Sequence, residues 1–252
     1  MRAISRSLTK HLAVVGLAAI LVGACNEPNP APSSPEGSVE VTFPSTDGVS
    51  LSGRLFGPEE ASVGVVLSHM LPADQRSWFD FARTLAGQGY LALTFDFRGY
   101  CPGGDGGCSE GERQVAAIWQ DVEGAIAFLR TRGVRQVVLI GASMGGTASL
   151  VAAAHEGQGV TAVVTLSAPI EIEGLAATRD VLADATAAKL FIAGNDDTVA
   201  AEAAEQLYEG SILPKRYELV TTSDHGTDLL TGNQAGAVER LALDWLARYA
   251  PA

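Results

Sequence analysis

Cysteine, histidine and charge are all scarce in this chain. Three Cys and 4 His occur in 252 residues, and Asp, Glu, Lys and Arg together make up 18%. Three cysteines are too few for a disulfide-built scaffold. No Cys/His spacing has the form of a metal site, and no glycine-rich phosphate cradle is present, so no metal and no cofactor are expected. Basic residues number 17 against 29 acidic, a net charge of −12, and without Arg2, Arg6 and Lys10 the remainder stands at −15. Such a chain has no general attraction to phosphate backbones or anionic lipid, which argues against a nucleic-acid partner. What is plentiful is apolar: 47% hydrophobic residues with 28 Gly and 11 Pro. That excludes a disordered or collagen-like chain and suffices for a large buried core.

The N-terminus has the pattern of an address. Arg2, Arg6 and Lys10 precede the apolar run Leu12–Val22, well short of the ~20 residues of a membrane-spanning helix, and the whole resembles a bacterial secretion signal. Val22-Gly23-Ala24-Cys25 resembles the lipobox of bacterial lipoproteins. The resemblance implies cleavage after residue 24, lipidation of Cys25, and an exported protein held on the cell surface or periplasmic face by its acyl chains. Residues 25–38 would be the lipidated cysteine and a Pro/Ser-rich tether (NEPNPAPSSPEGS), semi-extended because of its prolines, and residues 39–252 the folded domain. In an exported chain Cys101 and Cys108, seven apart in CPGGDGGC, are expected to form a disulfide; a redox or metal site is the rival, weak without nearby His ligands.

From Val39 onward strand and helix patterns alternate. Val39–Phe43 and Leu51–Phe56 flank the turn signal Thr46-Asp47-Gly48 and read as an antiparallel hairpin. Continuous apolar runs follow at Val63–Ser68, Leu91–Asp96, Val137–Ile140, Val160–Ser167 and Leu190–Ala193, with a shorter one at Arg216–Val220. Runs without alternation suit strands buried on both faces, hence a parallel sheet. Between them the spacing predicts helices near Ser77–Gly87, Glu112–Arg132, Met144–Glu156, Ala200–Tyr208 and Ala235–Tyr249. The fold class is α/β, an open and mostly parallel sheet covered on both sides. In such sheets chemistry sits beyond the C-terminal strand ends.

After Val137–Ile140 comes Gly141-Ala142-Ser143-Met144-Gly145-Gly146. This is G-x-S-x-G between a strand and a helix, the sharp turn that exposes a nucleophilic serine; the rival reading makes Ser143 a helix N-cap. A nucleophilic serine needs a base. Among four histidines, His11 lies in the leader, His155 at the far end of a helix, and His69 precedes the serine, leaving His225 in the polar loop Thr222–Thr227. A carboxylate should orient the imidazole. Gly194-Asn195-Asp196-Asp197-Thr198-Val199 supplies two adjacent aspartates after a strand, and Asp224 is a further rival beside His225.

In the order Ser143, Asp, His225 the chain from Val39 on resembles the α/β-hydrolases, and among them the dienelactone-hydrolase-like members. The resemblance implies an α/β-hydrolase fold and a serine hydrolase acting on small ester-type substrates without a cofactor. It favours Asp197 over Asp196, since the family acid commonly sits in G-x-x-D-x-x-V or a near variant, matching Gly194 and Asp197. It implies oxyanion donors at the backbone of Met144 and of the loop Ser68-His69-Met70-Leu71-Pro72, with Leu71 the donor by alignment and Met70 by conformation; Met70 stands where the family usually has Gly. His69 corresponds to the family histidine that braces this loop, and Asp96-Phe97-Arg98-Gly99-Tyr100 resembles the family's D-x-R-G-x turn. Residues 168–189 leave room for one or two short helices, hence minimal or no lid. Peptidase, thioesterase and lactone-opening activities share the fold, as would a binding lipoprotein on a retired hydrolase scaffold. Intact Ser143, Asp197 and His225 argue against the last.

Overall fold

The structure, a computed structural model, describes Met1, residues 37–101 and residues 108–252. Cys25, with the lipidation expected there, lies outside the described residues, as do the leader and most of the tether. Every element below lies between Ser38 and Tyr249. No helix among the described residues is long and apolar enough to cross a membrane.

Strands β1 (Ser38–Pro44) and β2 (Ser50–Phe56) form the expected hairpin, in register from Ser38 opposite Phe56 to Pro44 opposite Ser50. Next come β3 (Val63–Ser68), helix α1 (Phe79–Gly87), β4 (Leu91–Phe95), α2 (Trp119–Thr131), β5 (Gln136–Ala142), α3 (Met144–Glu156) and β6 (Val160–Leu166). A two-residue-strand hairpin, β7 (Glu171–Ile172) and β8 (Leu175–Ala176), leads into α4 (Arg179–Asp184). The chain closes with β9 (Ala188–Gly194), α5 (Thr198–Gly210), β10 (Lys215–Val220) and α6 (Ala235–Tyr249). The main sheet runs β1-β2-β4-β3-β5-β6-β9-β10. β2 meets β4 antiparallel, and all pairings from β4 to β10 are parallel.

The unbroken apolar runs have the expected cause. In β5, Val137 and Leu139 face one core layer beneath α2 to α5, while Val138, Ile140 and Ala142 face the other beneath α1 and α6. Both faces are covered, so no position is left for a polar alternate. The strand order reverses at β3, which lies between β4 and β5, and the crevice at such a switch point is where ligands bind in open α/β sheets.

One expectation is corrected and another is filled in. Helix α2 begins at Trp119 after a 3₁₀ turn Val115–Ala117, not near Glu112. The chain at 109–110 is occupied in a ladder, Ser109 N donating to Tyr100 O, Gly99 N to Glu110 O and Glu110 N to Ser50 O, and it cannot coil until released from it. Residues 168–189 hold one short helix and the β7–β8 hairpin, turning on Glu173 and Gly174, both at positive φ (46° and 84°), the pairing a tight two-residue turn requires.

Candidate active site

Ser143 sits between β5 and α3 at φ 47° and ψ −118°. A non-glycine residue there is strained by about 1–3 kcal/mol and persists only where its surroundings dictate it. Here glycines do so. A Cβ on Gly141 would lie 2.3 Å from Gly145 O, one on Gly145 2.3 Å from Ser68 O, and one on Gly146 2.7 Å from Ala168 Cβ. The chain can therefore fold back on itself and against β3 only without side chains at these positions. Ser143 N donates to Leu166 O at 2.8 Å, and Ser143 O accepts from Gly146 N and Thr147 N. The Ser143 side chain makes no cap bond to α3, which removes the N-cap reading. The N-terminus of that 13-residue helix favours negative charge beside Oγ.

Asp197 and His225 come from the next two strand ends. A Cβ on Gly194 would lie 2.4 Å from Thr222 O, so the loops after β9 and β10 pass in close contact. They are laced by Asn195 N to Val220 O, Asp196 N to Thr222 O, and Thr222 N to Asn195 Oδ1. Asp197 occupies the N-cap position of α5 without capping it; its Oδ2 instead lies 2.6 Å from His225 Nδ1. A carboxylate oxygen accepts, so Nδ1 carries the proton and Nε2 presents its lone pair. Asp196 is exposed, and Asp224 Oδ2 packs on Gly232, where a Cβ would meet it at 1.9 Å. Of the three aspartates considered, Asp197 is the one hydrogen-bonded to the imidazole. Gly226, next to His225, packs against Met70 Sδ and Ala142 Cβ (2.4 and 3.5 Å from its virtual Cβ), bringing the histidine loop to the residue preceding Ser143.

The loop after β3 completes this end of the sheet. His69 is fully buried. Its Nε2 accepts from Phe97 N at 3.1 Å and its Nδ1 lies 2.9 Å from Met70 O. An amide only donates and a carbonyl only accepts, so the ring is the neutral Nδ1–H form. Burial drives its pKa down to about 4, in keeping with that. Because C=O and N–H of a trans peptide point oppositely, fixing Met70 O on the imidazole turns the Leu71 N–H away from it. Met70 is buried and Leu71 half-buried, while Met144 opens α3.

The D-x-R-G-x turn is built on charge. Arg98 donates from Nε and Nη2 to Asp121 Oδ1 (2.9 and 2.7 Å), from its backbone N to Asp121 Oδ2 (3.0 Å), and through both Nη to Asp47 (2.7 and 2.8 Å). The guanidinium holds the Asp47 carboxyl down at about 2. Neither aspartate was evident from local sequence: Asp47 reads only as a turn residue, and Asp121 as one position of a helix. Asp96 is legible as part of the D-x-R-G-x turn, but its pairing with Gln75 is not. The Cys101–Cys108 disulfide is formed, with a Cα–Cα distance of 4.3 Å. Among the described residues no group of three His, Cys, Asp or Glu side chains is placed to hold a metal.

No curated protein sequence matches this one significantly. Solved structures do. An esterase of Pyrococcus furiosus superposes with a TM-score of 0.69 at 19% identity, over 88% of this chain and 99% of its own. A dienelactone hydrolase of Anabaena variabilis gives 0.68 at 23%, over 85% and 99%. The enol-lactonase of Burkholderia xenovorans gives 0.67 at 17%, over 81% and 99%. At such identities the likeness establishes the fold. The family described as alpha/beta hydrolase fold matches residues 65–231, from β3 through the histidine loop, and the chain belongs to the α/β-hydrolase fold family.

Proposed function

We propose that the protein is a serine hydrolase that cleaves a carboxylic ester, or a related acyl bond, of a small or extended substrate. The observation that carries this reading is the 2.6 Å bond from His225 Nδ1 to Asp197, made in the loop whose next residue packs beside the strained turn of Ser143. His225 Nε2 takes the proton of Ser143 Oγ as the oxygen attacks the acyl carbon. Asp197 stabilises the imidazolium that results. The backbone N–H groups of Met144 and Leu71 receive the oxyanion, the latter favoured over Met70 by the orientation that His69 imposes; each such donor contributes about 2.7–4 kcal/mol. Collapse expels the alcohol, protonated by His225, and water activated on the same nitrogen frees the acid. The short hairpin and single helix between β6 and β9 leave little to enclose a long chain, and the structural neighbours named for esters and lactones suit the same substrate class.

The test is fluorophosphonate labelling of the full chain, with Ser143→Ala beside it, read by intact mass. One adduct on the wild type and none on the variant is expected; no adduct on folded wild type defeats the proposal. The sequence further supports a lipid anchor at Cys25. Incorporation of labelled palmitate by the wild type and not by Cys25→Ala would establish it, and equal incorporation would dismiss it.

A further inference from the structure

Five residues separate His69 from Gln75, the partner of Asp96, and they include the proposed oxyanion donor. Both ends of this segment are gripped by two consecutive residues at the end of β4. Phe97 N–H holds the upstream end through His69 Nε2. The Asp96 carboxylate holds the downstream end, Oδ1 accepting from Gln75 N at 2.9 Å and Oδ2 from Gln75 Nε2 at 2.6 Å. Thr94 Oγ1 donates to Gln75 Oε1 at 3.1 Å, which fixes the amide with its nitrogen toward Asp96. Thr94, Asp96 and Gln75 are all buried, and Asp96 makes no ion pair among the described residues. A buried, unneutralised carboxylate is costly, and its two acceptors are spent on the segment that must aim Leu71.

We infer that Asp96, acting through Gln75, is a positioning residue for the oxyanion-binding loop, and that protonating it lowers turnover while the fold stays intact. This rests on the hydrolase reading and deepens it. Protonation would set a donor where two N–H donors already converge, loosening the downstream grip and leaving only His69 to orient the Met70–Leu71 peptide. The charged and titratable groups that face Asp96 are Asp74 and Arg76 on the following turn, His69 on the loop before it and Tyr100 on the loop after. Asp74 opposes its ionisation and Arg76 favours it, while His69 is neutral. Burial is the largest influence and pushes the Asp96 carboxyl up to about 6, within the range where a hydrolase is assayed.

The experiment is hydrolysis of a short-chain p-nitrophenyl ester by the full chain and its Asp96→Asn variant from pH 4.5 to 8. Circular dichroism and fluorophosphonate labelling accompany it. Asn keeps the shape but cannot accept from both donors. Its kcat should fall on the order of 10- to 100-fold, less than deletion of an oxyanion donor, with KM moved less than about threefold. The wild-type kcat/KM should fall between pH 6 and 5 more steeply than that of the variant, which lacks the Asp96 carboxyl. Equal kcat, or the same steep limb in both, overturns the inference. Should Asp96→Asn fail to fold, Gln75→Met replaces it, removing the side-chain grip and keeping the carboxyl; a kcat equal to wild type on folded protein overturns the inference. If the wild type neither labels nor hydrolyses ester, the hydrolase reading itself falls, and this inference with it.

Discussion

The two arms of the candidate site are held by different physics. The serine arm is steric. Gly141, Gly145 and Gly146 allow backbone to meet backbone at distances no side chain tolerates, and that contact forces Ser143 to φ 47°. The arm proposed to bind the oxyanion is polar. Its segment hangs from the His69 ring and the Asp96 carboxylate, with Arg98 between Asp47 and Asp121 behind it. Steric constraint is indifferent to pH and salt but fails on the addition of one methyl group. Buried polar constraint tolerates isosteric change and fails on gain or loss of a proton. If the proposed mechanism holds, a site so divided loses its transition-state binding in acid while Ser143 stays in place.

The largest expected effect tests the chemistry both arms serve. Asp197→Asn should cut kcat about 10⁴-fold by favouring the wrong imidazole tautomer. Asp196→Asn, exposed and held only through its backbone, should stay within a few-fold of wild type. Comparable losses in the two variants would reassign the acid. Next is the steric arm. Gly145→Ala places a carbon 2.3 Å from Ser68 O and 2.6 Å from His69 O, backbone atoms that cannot swing aside. Overpacking of this kind costs about 3 kcal/mol, and the shift it forces should lower kcat/KM about 10²-fold. The deficit should be the same at pH 6 and pH 8. A deficit that varied with pH would mean that the elbow also leans on a titrating group.

How much of this was legible in sequence follows the same division. The turn at Ser143 is legible because its six residues are consecutive, and the bonded candidates Asp197 and His225 because each follows a strand end. The alternating core of the sheet was readable because burial on both faces leaves an apolar run. The polar arm was not. Gln75 and Asp96 are 21 residues apart, Arg98 and Asp121 23, Arg98 and Asp47 51, and neither periodicity nor turn chemistry reports a pairing at such separations. The same long-range ladder through Ser109 and Glu110 displaced the start of α2. The hairpin at Glu171–Ala176 was missed because its strands, two residues each, are too short to show alternation.

Acid stability distinguishes the two buried titrating groups. Burial holds His69 down at about 4 against an ordinary 6.5, so its contribution is complete above pH 6.5 and is lost as pH falls toward 4, when the unfolded chain takes up the proton first. Asp96 runs oppositely: raised from 3.8 to about 6, its native form holds a proton that the unfolded form lacks, and stability rises as pH falls from 6 toward 3.8. Each is worth about 3 kcal/mol over its window, so the two nearly cancel. His69→Gln keeps a donor for Met70 O and an acceptor for Phe97 N but cannot titrate. Urea unfolding should find it within about 1 kcal/mol of wild type at pH 8 and about 2.5 kcal/mol more stable, relative to that difference, at pH 4.5. A constant difference across this range would mean that His69 titrates normally.

The smallest effect concerns the rim. The Cys101–Cys108 bridge closes an eight-residue loop, whose stem is independently tied by Ser109 N to Tyr100 O and Gly99 N to Glu110 O, with Ser109 Oγ donating to Asp96 O. Closing so short a loop restricts the unfolded chain by about 2.5 kcal/mol, while the native stem has its own bonds to hold Tyr100 edge-on against His69 at 4.6 Å. Cys101→Ser with Cys108→Ser should therefore lower stability by about 2 kcal/mol and leave ester kcat within about twofold. Its pH limb should match the wild type, because the Asp96–Gln75 grip lies inside the stem. A change in kcat at unchanged KM would show that the bridge, and not the stem, sets the polar arm, and would make that arm sensitive to redox state as well as to protons.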